Sequence, residues 1–314
     1  MKRTIKEKEN ESVCLTKTDN KREGEEREEA KLFSPFSLLS ENTKNNELTI
    51  IKLGGSVITD KKSTTPKLRA GTLRRLATEI AEFLKSGRQT GRKIIIVHGA
   101  GSFGHPLAKK YKLGEGAVEG IADVQKKGFA LTQASVRLLN LKVIAALHDA
   151  GVNAVSVPPG AILRCEGGKI GGFNAKKFSD YLGAGFVPVT FGDAVLDEKN
   201  GFCICSGDLL VEALARAFKP EKVIFAADVD GIFDRDPRDT GAKLLREIKC
   251  GEAAPEVGAA AECADVTGGM RGKIKSIKAI AGGGVPVIVI NGKKRGRLLS
   301  ALVGGKFTGT CIIP

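Results

Sequence analysis

Residues 47–59 read ELTIIKLGGSVIT. An apolar, largely β-branched run that stops at a glycine pair describes a buried strand entering a tight loop. The same composition recurs as KIIIVHGAGSFG over 93–104, VIFAADVDGIF over 223–233 and VPVIVING over 285–292. Helical spacing lies between these runs. GTLRRLATEIAEFLKSG, 71–87, places Leu73, Leu76, Ile80 and Leu84 three or four residues apart and stops at Gly87. Helical patterns return over about 121–150 and in KIKSIKAIAGGG, 273–284, while CSGDLLVEALARAF, 205–218, reads as a helix capped by Ser206. Further strands are expected at about 153–157 and 186–190. Strands alternating with helices predict an α/β fold, a three-layer αβα sandwich around a central, mostly parallel sheet. No internal repeat is visible.

The texture begins abruptly at residue 48. Residues 1–47 hold 10 Lys/Arg and 11 Asp/Glu, lack an apolar signal core and are too acidic for a transit peptide. They read as a disordered, charged N-terminal extension with a transient helix near 21–32. Residues 48–314 are expected to form the catalytic domain.

That domain carries all of the +14 formal charge of the 314-residue chain. Such a surplus suits nucleic acid, a membrane surface or phosphorylated small molecules. With 2 Tyr and no Trp there is little to stack on single-stranded bases, and no run approaches the ~20 apolar residues of a membrane span. Neither nucleic acid nor membrane is the expected partner. Seven Cys, an odd number with only Cys203 and Cys205 close together, indicate reduced thiols and a cytoplasmic location. The three His lie near no cysteine pair, so no protein-held metal is expected.

The 39 glycines exceed the average share of about 7% and gather in loops that follow strands or open helices. There, backbone N–H groups lacking a neighbouring Cβ reach phosphate oxygens. Lys52-Leu53-Gly54-Gly55-Ser56 adds a full charge at a strand end, and Lys61 returns nine residues later. Gly99-Ala100-Gly101-Ser102-Phe103-Gly104 satisfies the dinucleotide spacing, but no second strand follows within a βαβ unit, which excludes NAD binding on that pattern. No Walker A sequence occurs. His105 closes this loop where its imidazole can donate to a phosphate, whereas His98, at the end of an apolar strand, reads as a core residue. Asp228-Val229-Asp230-Gly231 sets carboxylates near a loop glycine, and Thr267 to Lys273 puts a lysine over a helix N-terminus. Taken singly, each segment is an ordinary turn; their order along one α/β chain is informative.

That ordered set, together with Ser206-Gly207-Asp208, resembles the amino acid kinase superfamily over residues 48–314. The Gly-Ala-Gly-Ser-Phe-Gly-His segment is most similar to the isopentenyl phosphate kinases. The resemblance implies ATP-dependent phosphorylation of isopentenyl phosphate to isopentenyl diphosphate in isoprenoid biosynthesis, with dimethylallyl phosphate as a further acceptor, Mg²⁺ alongside ATP, and a homodimer. It assigns Lys61, Lys52 and Asp208 to catalysis, with Lys61 stabilising the transition state and Asp208 orienting the lysines. Ala100, Gly101, His105 and Gly207 would hold the acceptor phosphate. Lys52, Gly54, Gly55, Ser56, Ser102, Asp228, Gly231, Gly269 and Lys273 would hold ATP, so that the N-terminal part of the domain binds acceptor and the C-terminal part nucleotide. A fosfomycin kinase-like enzyme, which shares the His, and a non-catalytic phospholigand binder are the alternatives. An apolar acceptor tail is expected to lie against Ala130, Ala134, Leu138 and Leu141.

Overall fold

The computed structural model describes residues 48–86, 91–250 and 269–314. The expectations for residues 1–47, and for Thr267 and Gly268, lie outside the described residues. From the N-terminal side the elements are β1 (Leu48–Leu53), α1 (Gly55–Ile58), α2 (Ala70–Ser86), β2 (Lys93–His98), α3 (His105–Lys110) and α4 (Ala122–Asp149). There follow β3 (Ala154–Ser156), β4 (Leu163–Glu166), β5 (Lys169–Phe173), α5 (Lys176–Gly183), β6 (Val187–Phe191), β7 (Asp193–Asp197), β8 (Gly201–Cys205) and α6 (Gly207–Phe218). The chain continues through β9 (Lys222–Ala227), β10 (Ile232–Phe233), β11 (Leu244–Leu245), β12 (Glu247–Lys249), α7 (Gly269–Gly282), β13 (Val287–Asn291), α8 (Arg297–Val303) and β14 (Gly309–Ile313).

Eight strands form the main sheet in the order β12-β14-β13-β9-β1-β2-β6-β3. Every pairing in it is parallel except that of β13 with β14. β1 is central and buried along its whole length. Its side chains alternate between faces, so Leu48 and Ile50 enter one core and Ile51 and Leu53 the other. Helices α5, α6 and α7 cover the first face and α2, α4 and α8 the second. These are the expected three layers. The parallel strands β1, β2, β6, β9 and β13 all end on the same side, so their loops share one end of the sheet.

Two features depart from the expectation. β4, β5, β7 and β8 make a separate four-stranded mixed sheet, in the order β5-β4-β7-β8, where no sheet was predicted. Its strands are short, and two of them are half-exposed: LRCE alternates buried with exposed, and KIGGF has no fully buried position. α4 is long and apolar enough, by length and composition, to cross a membrane. Here its inner stripe packs on the sheet through Leu139, Val143 and Leu147.

Ser206 caps α6 as expected, its hydroxyl accepting from the Leu209 N–H at 3.2 Å. Ser206→Ala removes that acceptor, with an expected loss of about 1 kcal/mol in urea denaturation and an unchanged m-value.

Candidate active site

The face alternation of β1 decides where its charge goes. Lys52 continues the Leu48–Ile50 side and surfaces at the strand's carboxyl end, beneath α6 and α7. Asp208, in the first turn of α6, accepts from its ammonium. Lys273 of α7 brings its Nζ to 3.6 Å from the same Asp208 Oδ1. Phe225, paired in register with Lys52 on β9, presents its ring to both cations at 5.7 and 5.8 Å. Burial pulls the Lys52 ammonium down to about 8, with Asp208 opposing and Lys273 reinforcing the shift. Burial also disfavours the Asp208 anion, but the two lysines outweigh it and hold the carboxyl below its ordinary range. Two cations thus share one anion, and the surplus positive charge sits at the end of the central strand. Removing one partner of a buried pair costs roughly 3–5 kcal/mol. Asp208 therefore holds the local structure together.

Beside this trio, the loops after β1 and β2 touch through their backbones. A Cβ on Gly55 would stand 2.6 Å from the Gly101 nitrogen, and one on Gly99 would stand 2.6 Å from the Gly55 nitrogen. Gly101 has φ +51° and lies against the Thr59 hydroxyl, which leaves no space for a side chain. That hydroxyl donates to the Gly55 carbonyl at 2.7 Å and accepts the Ser102 N–H at 3.0 Å. Ser102 in turn accepts the Lys67 N–H at 3.1 Å. Gly54 ties the first loop to β9 through the Ala226 carbonyl, 2.9 Å away. At the start of α6, a Cβ on Gly207 would lie 3.4 Å from both Lys52 Cε and the His98 carbonyl. Glycine backbones, a helix start and two lysines thereby converge on a space suited to phosphate groups.

A sequence model of the Amino acid kinase family matches residues 47–291. The chain belongs to the amino acid kinase family. Within that family it is 39% identical over 270 residues, 84% of this chain and 98% of the relative, to the isopentenyl phosphate kinase of Methanothermobacter thermautotrophicus. It is 30% identical over 299 residues to the isopentenyl phosphate kinase of Arabidopsis thaliana, covering 80% of this chain and 89% of that one. Among solved structures, an isopentenyl phosphate kinase superposes with a TM-score of 0.73 at 37% identity, covering 84% of this chain and all of the other. The product complex of the T. acidophilum isopentenyl phosphate kinase gives 0.68 at 30% identity, covering 84% of this chain and 99% of that one.

In this amino acid kinase, Lys52, Gly54, Gly55, Ser56, Ala100, Gly101, Ser102, Gly207 and Asp208 come together at the ends of β1 and β2 and the start of α6, where α7 brings Lys273. His105 is half-buried at the start of α3. Ser102 is 4% exposed, and both its amide and its hydroxyl serve the contact between loops. Lys61 is exposed on the turn after Thr59, outside the contacts that unite the lysine–aspartate trio. Asp228, after β9, lies 3.8 Å from Lys293, and Gly231 packs on Thr310. Gly269 is the first residue of α7.

The expected tail-binding residues are a correction. Ala130, Ala134, Leu138 and Leu141 are exposed on the outer side of α4, with Leu138 and Leu141 at 49% and 63%. The inner side reaches the second loop instead: a Cβ on Gly104 would lie 3.1 Å from Val136 Cγ2. Both stripes of α4 have helical spacing. The inner one carries Gln125, Thr132 and Asn140, whose polarity disguised it in the sequence.

Among the positioning residues, Arg297, Asn291, Glu79 and Arg75 escaped the sequence reading. Asp230 accepts from Arg297 at 2.7 Å and from Asn291 at 2.8 Å, which fixes the loop after β9. Buried Glu79 of α2 accepts the Gly296 and Leu299 N–H groups, while Arg75 donates to Glu79 and to the Gly292 carbonyl. The one available signal was Asn291-Gly292 closing an apolar strand, a pattern equivalent to the loops already singled out.

On the expected role of Lys52 as a catalytic cation, kcat/KM falls about tenfold per pH unit above about 8 as its ammonium deprotonates in the free enzyme. A pH–rate profile from roughly 6.5 to 9.5 checks this; a flat alkaline limb would contradict it.

Proposed function

We propose that this kinase transfers the γ-phosphoryl group of ATP to isopentenyl phosphate, yielding isopentenyl diphosphate and ADP. The observation that carries the reading is the Lys52–Asp208–Lys273 trio set beside two glycine loops in backbone contact. Such a site is suited to two phosphate-bearing substrates. The acceptor class is supported by the isopentenyl phosphate kinases among the relatives and by His105 at the end of the second loop. Dimethylallyl phosphate, differing only in double-bond position, is a second acceptor.

A phosphate monoester has its second pKa near 6, so its attacking oxygen is already ionised at neutral pH and needs no strong general base. The requirement is to hold two polyanions in line and to stabilise charge on the transferring group. Gly54, Gly55 and Ser56 are assigned to the ATP phosphates, with Lys273 and the start of α7 at Gly269 on the nucleotide side and Asp228 and Gly231 bordering it. Ser102 supports this loop from beneath. Ala100, Gly101, Gly207 and His105 are assigned to the acceptor phosphate. Lys52 bridges the two groups, Asp208 orients Lys52 and Lys273, and Lys61 swings from its exposed turn to the transferring phosphoryl.

Mg²⁺ is proposed to enter on the ATP phosphates. Of the nearby carboxylates, Asp208 is committed to two lysines and Asp230 to Arg297 and Asn291. A reducing, cytoplasmic setting agrees with the free thiols of Cys165, Cys203, Cys205, Cys250 and Cys311. Homodimerisation is proposed through the outer stripe of α4, where exposed Val124, Leu131 and Leu138 recur every seven residues. Leu138→Lys is expected to convert the dimer to monomer in light scattering.

A coupled ADP-release assay with isopentenyl phosphate, dimethylallyl phosphate and fosfomycin tests the reading. Turnover is expected with the first two; ADP release with fosfomycin alone, or with none of them, would overturn it. Lys61→Ala is expected to lower kcat by about 10²-fold or more, as loss of a transition-state donor does. Wild-type turnover would remove Lys61 from the mechanism.

A further inference from the structure

His98 is fully buried at the carboxyl end of β2, stacked on Phe191 with ring centroids 5.2 Å apart. Its Nδ1 lies 3.1 Å from the Gly99 carbonyl, and its Nε2 lies 3.2 Å from Asn140 Nδ2. Asn140, buried on α4, accepts the Ser156 hydroxyl through Oδ1 at 2.6 Å. Donor bookkeeping admits one arrangement. A carbonyl only accepts, so Nδ1 carries the proton; Nε2 then accepts from the Asn140 amide, whose oxygen is left for the Ser156 hydroxyl. Protons therefore point in one direction, from Ser156 through Asn140 and His98 to Gly99. Burial lowers the pKa of His98 to about 4, against the opposing bond to Gly99, and keeps the ring neutral.

The backbone around this bond is held on both sides. Gly99 N–H donates to the Leu53 carbonyl at 2.9 Å, and the His98 carbonyl accepts from Gly192 N–H at 3.0 Å. The described chain contains no cis peptide, so the Gly99 carbonyl and the Ala100 N–H point in opposite directions within one rigid plane. Fixing the carbonyl on His98 fixes the direction of the Ala100 N–H.

We propose that His98 is a positioning residue for acceptor binding. Through the Ser156–Asn140–His98 relay it locks the Gly99–Ala100 peptide so that the Ala100 N–H faces the acceptor phosphate. The proposal rests on the reading of residues 99–105 as the acceptor loop. It gives His98 a role distinct from that of His105, which is assigned to the phosphate, and gives the buried Asn140 of α4 a purpose that packing does not explain.

The test measures steady-state kinetics with ATP and isopentenyl phosphate. His98→Leu is expected to raise KM for isopentenyl phosphate about tenfold, as loss of a buried hydrogen-bond partner does, with KM for ATP within about twofold. His98→Asn, whose amide nitrogen occupies the place of Nδ1, is expected to restore most of that affinity. Ser156→Ala acts at the exposed end of the relay, where folding is safe, and is expected to raise the acceptor KM about two- to threefold. It keeps the test decisive if His98→Leu does not fold. Side-chain ¹⁵N NMR of the wild type is expected to show the Nδ1–H tautomer. Unchanged acceptor KM in His98→Leu and Ser156→Ala, equal rises for both substrates, or an Nε2–H tautomer would overturn the proposal. His105→Ala separates the two levels: if it raises the acceptor KM while the relay variants do not, only the positioning role fails. If His105→Ala also leaves it unchanged, the acceptor-loop reading fails as well.

Discussion

Two loops at the ends of neighbouring parallel strands touch where neither has a Cβ. Gly55 and Gly101 on one side of the contact, and Gly99 and Gly55 on the other, approach so closely that one added methyl group would drive a carbon to 2.6 Å from a backbone nitrogen. Thr59 and Ser102 tie this contact with three hydrogen bonds from outside. The β1–β2 pairing, with Leu53 opposite His98, brings the loops side by side. The rest of the site depends on that spacing, because in-line phosphoryl transfer requires the two phosphate groups to be held at a defined separation.

Charge is delivered to the contact by a different route. Lys52 belongs to the face of β1 that α6 and α7 cover, so alternation along one strand and the placement of two helices suffice to join Lys52, Asp208 and Lys273. Residues 156 positions apart become a buried pair. Asp208 keeps the two ammonium groups from repelling one another, while leaving positive charge for an incoming anion. The loops after β9 and β13 are steadied by other elements, with Arg75 and Glu79 of α2 gripping the segment after β13 and Arg297 of α8 and Asn291 of β13 gripping Asp230.

Much of this is legible in the amino-acid sequence. Strands that end in glycine can be read because burial demands apolar side chains and phosphate-sized loops demand their absence; both requirements are local. Ser206 as a cap is local for the same reason. The four-stranded mixed sheet was not legible, since its strands are only four or five residues long and β4 and β5 are half-exposed, with Lys169, Gly171 and Gly172 diluting the apolar pattern of β5. The phase of α4 is hard to read because its polar residues Gln125, Thr132 and Asn140 face inward, Gln125 satisfied by the preceding loop, Thr132 by the Gly128 carbonyl one turn back and Asn140 by His98 of β2. Thr59, Asn291 and Glu79 matter only through the loops they meet, and single residues of common types carry no spacing that reveals such a meeting.

The claim that the loop contact governs both substrates is tested most directly by Gly55→Ala, characterised by circular dichroism, thermal melting and full kinetics. The account predicts a folded protein in which phosphoryl transfer from ATP to isopentenyl phosphate falls by about 10²-fold or more, because a misplacement of about 1 Å between reacting groups has that effect. A folded Gly55→Ala variant with wild-type kcat and unchanged KM for both substrates would contradict it.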